Sequence, residues 1–178
     1  DELYQFLAAR GQLEYGDFVL MPAGEAYDRV AIFTNIVTYF MKIFGDTLYI
    51  ARMPAVIFGS LLVVAIFLWL RLLGEHIAAW IAALFIVVDP LLIQLSQIVR
   101  FYSLQHLAFI IGCIGCYIII FNNYQLYIKL SIIFFTLLAF IFSFFMQPVS
   151  AFGMLGVLIF VFCAIYFYYI KLFDGKRQ

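Results

Sequence analysis

The sequence contains very little charge. Only 11% of its residues are charged, whereas 67% are hydrophobic and 22 are phenylalanine. A soluble globular domain carries about 25% charged and roughly 45–50% apolar residues, so a water-soluble fold of this length could not bury these side chains. The net charge is zero, and without a basic stripe nothing indicates nucleic-acid binding. We therefore predict a membrane protein with no nucleic-acid partner.

Acidic residues become scarce after the first 46 positions. Seven of the ten acids lie there: Asp1, Glu2, Glu14, Asp17, Glu25, Asp28 and Asp46. No phosphate-binding loop, dinucleotide-binding glycine motif, zinc-protease motif or nucleophile elbow occurs. The sequence does not begin with methionine, so we expect a fragment of a longer protein. The uneven charge divides the chain into an extracytoplasmic head, residues 1–47, and a transmembrane region, residues 48–178.

Five apolar stretches are long enough to cross about 30 Å of hydrocarbon: roughly 50–73, 77–95, 104–121, 127–146 and 151–170. Backbone groups in lipid must be satisfied internally, so these stretches are predicted to be helices. Asp89-Pro90 should kink the second near one end. Within the third, His106 is interpreted as a hydrogen-bonded histidine, and Cys113-x-x-Cys116 as small apolar residues, rather than as metal or redox sites.

The head is predicted to hold two helices that lie at the membrane surface. Residues 3–10 suggest a short amphipathic helix with Leu3, Phe6 and Leu7 on one face. Residues 31–44 are apolar but too short to span, which is typical of an interfacial helix. The predicted fold class is thus an all-α membrane protein with about five transmembrane helices plus N-terminal extracytoplasmic interfacial helices. Basic residues are divided equally between the two sides, and we place the head outside because several arginines there lie in motif-like settings.

Polar residues that are costly at membrane depth converge on the outer side in this topology. Asp1 and Glu2 could cap a helix or act as a general base or metal ligand. Arg52 could extend to the interface, or pair with an acid of the head or a phosphate. Arg100 and Tyr102 could anchor the interface or bind a phosphate. One-sided convergence of this kind is what an active site at a membrane surface requires.

The order of these features resembles the membrane glycosyltransferases of the protein mannosyltransferase and aminoarabinose transferase type. These are GT-C enzymes of glycosyltransferase family 39 and its bacterial relatives. The resemblance covers residues 1 to about 106. The residues that carry it are, in order, Asp1-Glu2, Tyr27-x-Arg29, Phe44-Gly45-Asp46, Ala51-Arg52-Met53-Pro54 with the following Ala55–Gly59, Asp89-Pro90, and Ser96-Gln97-x-x-Arg100-x-Tyr102-Ser103-Leu104.

The resemblance implies inverting transfer of a sugar from a polyprenyl-phosphate donor to an acceptor on the extracytoplasmic face. Asp1 would be the catalytic general base. Arg100 and Arg52 would contact the lipid phosphate or brace the acidic head. The residues implied in substrate binding are Glu2, Tyr27, Arg29, Arg52, Arg100 and Tyr102. Some relatives carry a divalent metal ion, although no cluster here indicates one. The implied location is a multi-pass protein of the bacterial plasma (inner) membrane, with membrane lipid and an undefined acceptor as further partners.

The sequence departs from the family pattern in three respects. As expected of a fragment, residues 1–178 do not include the span that precedes the acid pair in the family, nor the family's later spans or any C-terminal soluble domain. The first loop reads Pro22-Ala23-Gly24-Glu25-Ala26-Tyr27 where many relatives have a His-Pro-Pro triplet. Two alternatives remain: a polytopic transporter, which predicts broken helices and ionisable residues near the midplane, and a non-catalytic membrane scaffold whose charges only anchor the helices.

Overall fold

The computed structural model describes residues 2–20, 25–27, 30–122 and 124–174, with side chains omitted at 25, 26 and beyond 166. Two compact units divide the chain, Asp1–Leu107 and Ala108–Gln178. The described residues form eight helices and one two-stranded antiparallel sheet: α1 Glu2–Tyr15, β1 Val19–Leu20, β2 Glu25–Ala26, α2 Ala31–Phe44, α3 Leu48–Leu72, α4 His76–Val88, α5 Pro90–Gln97, α6 Tyr102–Phe121, α7 Leu126–Met146 and α8 Ser150–Asp174. The boundary between the two units differs from the predicted division at residue 47. The predicted division concerns location in the membrane and stays a prediction.

Helices dominate the described residues, and several are long and apolar enough to cross a membrane. Three qualify, namely α3, α6 and α7, and the bent pair α4 and α5 adds a fourth if it counts as one span. In α8, the part whose side chains the structure describes, Ser150–Tyr166, is a shorter apolar helix. Many large apolar side chains on these helices are exposed, such as Phe145 at 75% and Phe152 at 79%, as in helices that face lipid. The structure is therefore consistent with a membrane protein, and the number of five spans stays a prediction.

The first helix is longer than predicted and buries a different face. Gln5, Ala8 and Ala9 are fully buried, whereas Leu3 is 62% exposed. The predicted apolar face through Leu3, Phe6 and Leu7 is thus not the face that packs against α2, and its location at a membrane stays a prediction. The physical reason is that small residues permit close approach to α2, and Gln5 finds a hydrogen-bonding partner there instead of requiring water.

The second helix has the bounds predicted for it and carries two apolar faces. Phe33, Val37 and Met41 recur at four-residue intervals and are buried, which is the periodicity of one helix face. Further apolar side chains are at least half exposed: Ile32, Tyr39, Ile43 and Phe44. An exposed apolar face is typical of a helix that lies on a membrane, and that location stays a prediction.

The predicted kink at Asp89-Pro90 is confirmed. Helices α4 and α5 meet there at 59°. The Asp89 carboxylate accepts hydrogen bonds from the backbone N–H groups of Leu91 at 2.8 Å and Leu92 at 3.1 Å. Proline cannot donate an N–H to the preceding helix, and an aspartate at the N-cap satisfies the next free donors. The first free N–H groups after the break are therefore paired.

In the second unit, glycines permit close contacts between helices. A Cβ on Gly112 would lie 2.7 Å from Cε1 of Phe140, and one on Gly115 would overlap Oγ1 of Thr136. Both partners belong to α7. Small residues at such contacts are the usual means by which membrane helices approach each other, so this pairing follows from the glycine positions on α6.

Candidate functional site

An ion pair joins the first turn of α1 to the start of α3. Arg52 Nε lies 2.7 Å from Glu2 Oε1, and its Nη2 lies 3.1 Å from Oε2. This two-pronged arrangement is the strongest geometry for an arginine and a carboxylate. The side chains are 35% and 25% exposed, respectively. Of the interpretations left open for Arg52, the structure shows the pairing with an acid of the head.

A backbone group from the segment between α5 and α6 completes the site. The N–H of Val99 donates to Glu2 Oε1 at 3.1 Å. Ile98 is extended, with φ −99° and ψ 148°, so the chain leaves helix geometry there. Val99 is fully buried and Arg100 is 6% exposed. The predicted arginine–tyrosine segment thus lies within the first unit. The Val99 N–H just before it donates to the same carboxylate that binds Arg52.

The environment of Glu2 favours its ionised form. Hydrogen bonds from Arg52, together with the Val99 N–H, hold the pKa of the Glu2 carboxyl below its ordinary value, although partial burial acts in the opposite direction. A carboxylate that accepts three hydrogen bonds is stabilised as an anion. Glu2 is therefore a fixed negative charge that positions the head, with its oxygens engaged by protein donors.

Acidification is expected to weaken this attachment of the head. Because the folded pKa lies below the unfolded value of about 4.3, the contribution of the bridge is fully present above that pH and is lost as the pH falls through the folded pKa. Because the two side chains are about one quarter to one third exposed and the pair is screened by solvent, we expect a loss of about 1 kcal/mol. The protection factors of the α1 amides, measured by hydrogen exchange between pH 7 and 3, should fall in the wild type. They should fall less in Glu2→Gln. Equal pH dependence in the two proteins would contradict the assignment.

A second polar network lies further along α1. Tyr27 Oη donates to Gln5 Oε1 at 3.1 Å, and Gln5 Nε2 donates to Oγ1 of Thr34. Gln5 and Thr34 are fully buried. Sequence reasoning named Tyr27 but missed Gln5 and Thr34. The signal for them was a polar residue on each of two otherwise apolar helix faces. Tyr27 is therefore bonded to α1 at Gln5, which lies three residues after Glu2.

The structure describes only some of the remaining predicted residues. Asp1, the predicted base, and Arg29 lie outside the described residues. Tyr102 is partly exposed, and its ring packs against Phe101 with centroids 4.8 Å apart. In the part of the chain that the structure describes, no group of three or more His, Cys, Asp or Glu residues could hold a metal ion.

Two pockets adjoin Arg52. One has a volume of about 300 Å³ and is lined by Tyr49, Arg52, Met53, Val56, Ile57 and Gln97. The other has a volume of about 460 Å³ and is lined by Arg52, Pro90, Ile93, Gln94, Gln97 and Ile98. Arg52 and Gln97 border both. Since the bridge to Glu2 uses Nε and Nη2, the arrangement can offer a guanidinium N–H and an amide to an anionic group with an apolar tail.

No protein-family model, curated protein or solved structure matches this chain. The likeness to the GT-C glycosyltransferases therefore depends on the motifs quoted above and their order. The site geometry is the independent observation against which that likeness can be weighed.

Proposed function

We propose that the protein is a membrane glycosyltransferase that moves a sugar from a polyprenyl-phosphate donor to an acceptor on the extracytoplasmic face. The observation that carries the proposal is the Glu2 carboxylate held by Arg52 and by the Val99 N–H. It links the acid pair of the head, the first candidate span and the arginine–tyrosine segment. Those are three of the six motif regions on which the resemblance rests.

The chemistry assigns a role to each end of this site. Inverting transfer needs a base that takes the proton of the acceptor and cations that stabilise the departing phosphate. In the proposal Asp1, the neighbour of Glu2 in the sequence, is the base. Arg52 contacts the lipid phosphate from the pockets beside it, and the buried Arg100 supports the same region. Glu2 is a positioning residue that fixes the guanidinium of Arg52.

The lining of the two pockets also fits a lipid donor. Val56, Ile57 and Ile93 supply apolar surface next to the guanidinium. A polyprenyl phosphate combines these requirements, because its phosphate lies at headgroup height and its tail lies in hydrocarbon. The proposed location is the bacterial plasma membrane, with the site facing outside.

A transporter is the second candidate, and the broken helix at Asp89 favours it. Discontinuous helices form the substrate sites of many transporters. However, the Asp89 carboxylate already accepts two backbone hydrogen bonds at the break. It thus has a structural role, which leaves the glycosyltransferase as the better-supported function.

Substitution of Arg52 tests the proposal. In membranes containing the full-length protein and a radiolabelled polyprenyl-phosphate hexose or pentose, Arg52→Ala is expected to lower donor consumption about 100-fold, since one preorganised contact to a departing anion contributes on that order. Arg52→Lys should restore part of the rate because it keeps the charge but loses the planar fork. Glu2→Gln removes the ionic partner that positions Arg52 but keeps the guanidinium, so it should have a smaller effect.

Arg71→Ala is the matched control. Arg71 is exposed in the last turn of the same helix, with its guanidinium 5.9 Å from the Phe67 ring centroid. It should leave the rate unchanged. Equal rates in Arg52→Ala and wild type would contradict the role of Arg52. No consumption of either donor class by the wild type would reject the proposed function and favour a scaffold.

A further inference from the structure

A small cavity lies within the first unit among α3, α4, α5 and the first turns of α6. Its volume is about 180 Å³. A cavity of roughly 150 Å³ holds a benzene-sized molecule, so this one has room for a single six-membered ring. Most of its wall is apolar, and its polar lining residues are Ser60, Ser96, Ser103 and His106.

The three serine hydroxyls already donate their protons to backbone carbonyls. The bonds are Ser60 Oγ to Val56 O at 2.9 Å, Ser96 Oγ to Ile93 O at 2.8 Å and Ser103 Oγ to Leu95 O at 3.3 Å. A hydroxyl has one proton to donate and two lone pairs that accept. Each of these oxygens is therefore left with acceptor capacity only.

The histidine adds a further acceptor. The Tyr102 carbonyl, one turn earlier on α6, is the acceptor within reach of an imidazole N–H of His106. In a neutral imidazole the second nitrogen is an acceptor. The polar part of the cavity wall consequently lacks donors, which selects against ligands that can only accept hydrogen bonds.

The charge of the lining restricts the ligand further. Among the lining residues that the structure describes there is no acid. An uncompensated charge at membrane depth is costly, which disfavours a metal ion or an ammonium group. A neutral molecule with a hydroxyl group and an apolar body fits this lining. Its hydroxyl can donate to the acceptor atoms, and its body can contact the apolar side chains.

We propose that this cavity is a binding site for a small neutral alcohol about one ring in size. The site goes beyond the proposed sugar transfer. Val56 and Ile93 border both this cavity and the pockets beside Arg52, but none of the residues that we assign to proton transfer, phosphate contact or bracing lines it. The alcohol's O–H donates to the oxygen of Ser96 or Ser103, and its ring occupies the apolar part beside His106.

The two histidines of the chain provide a direct test. The full chain, labelled with ¹⁵N-histidine in lipid nanodiscs, is titrated with cyclohexanol and with cyclohexanone, which match in size but differ in donor capacity. Cyclohexanol is expected to shift the imidazole signal of His106, with an apparent Kd about tenfold lower than that of cyclohexanone, the difference typical of one buried hydrogen bond. His76 is exposed at the start of α4 and should not respond to either compound.

Serine variants separate the cavity from general partition into lipid. Ser96→Ala with Ser103→Ala should bring the two apparent Kd values together. Ser131→Ala removes a hydroxyl that also bonds to its own helix, at Tyr127 O, but is exposed on α7, and it should preserve the tenfold preference. Equal responses to the two compounds, a common shift of both histidines, or no shift at saturation would overturn the proposal. Because the readout is binding, its failure is distinguishable from failure of the transfer assay.

Discussion

Replacing Asp1 with asparagine is expected to lower sugar transfer by about 10²–10⁴-fold, the range that a general base contributes. Asparagine has the same shape as aspartate but cannot accept the proton of the acceptor. The measurement is donor consumption in membranes containing the full-length protein. Expression level and elution of the purified variant should match the wild type, since the substitution keeps the size of the side chain.

Asp17→Asn is the control for loss of charge from the head. Asp17 is an exposed acid that follows α1, and its substitution should leave transfer within a factor of about two, as for most surface changes. Transfer retained by Asp1→Asn would contradict the assignment of the base. Comparable losses in both variants would show that the head needs its net charge rather than a proton acceptor at position 1.

The elements that follow from hydropathy could be predicted from the sequence. The apolar run at 31–44 and the run at 127–146 end where polar residues or a glycine interrupt them, and the corresponding helices are Ala31–Phe44 and Leu126–Met146. The kink at Asp89 also followed from a local rule, because proline lacks the N–H that the helix needs. Local chemistry alone determines such features.

The contacts of the site depend on tertiary proximity and could be predicted only in part. The acid–arginine pairing was one of several alternatives, because the sequence does not show which charged groups meet in space. The Val99 donor could not be predicted, since every residue except proline has a backbone N–H and only the extended geometry at Ile98 leaves this one available. The face of α1 that packs against α2 could not be predicted either, because Gln5 is buried through its hydrogen bonds with Thr34 and Tyr27.

Gly11→Val is expected to destabilise the head by about 3 kcal/mol, at the upper end of the cost of overpacking. A Cβ at this buried position of α1 would overlap the carbonyl oxygen of Val19 and lie 3.2 Å from its carbonyl carbon. Those are backbone atoms of β1, so no side-chain rotation can relieve the overlap and the strand or the helix must move. Amide exchange of α1 should accelerate about 100-fold, because 1.4 kcal/mol corresponds to a factor of ten.

Gly156→Val is the matched control, since a Cβ there would meet no atom within 4 Å. It should leave exchange of α1 unchanged, and equal exchange in the two variants would contradict the packing of β1 against α1. The substitution at Gly11 also bears on the site, because α1 begins at Glu2. A displaced α1 should loosen the bond between Glu2 and Arg52, so transfer should fall in Gly11→Val although no group in the transfer machinery has been changed. A loss of this kind would show that the rigidity of the head, and not only its charges, determines where the proposed base is held.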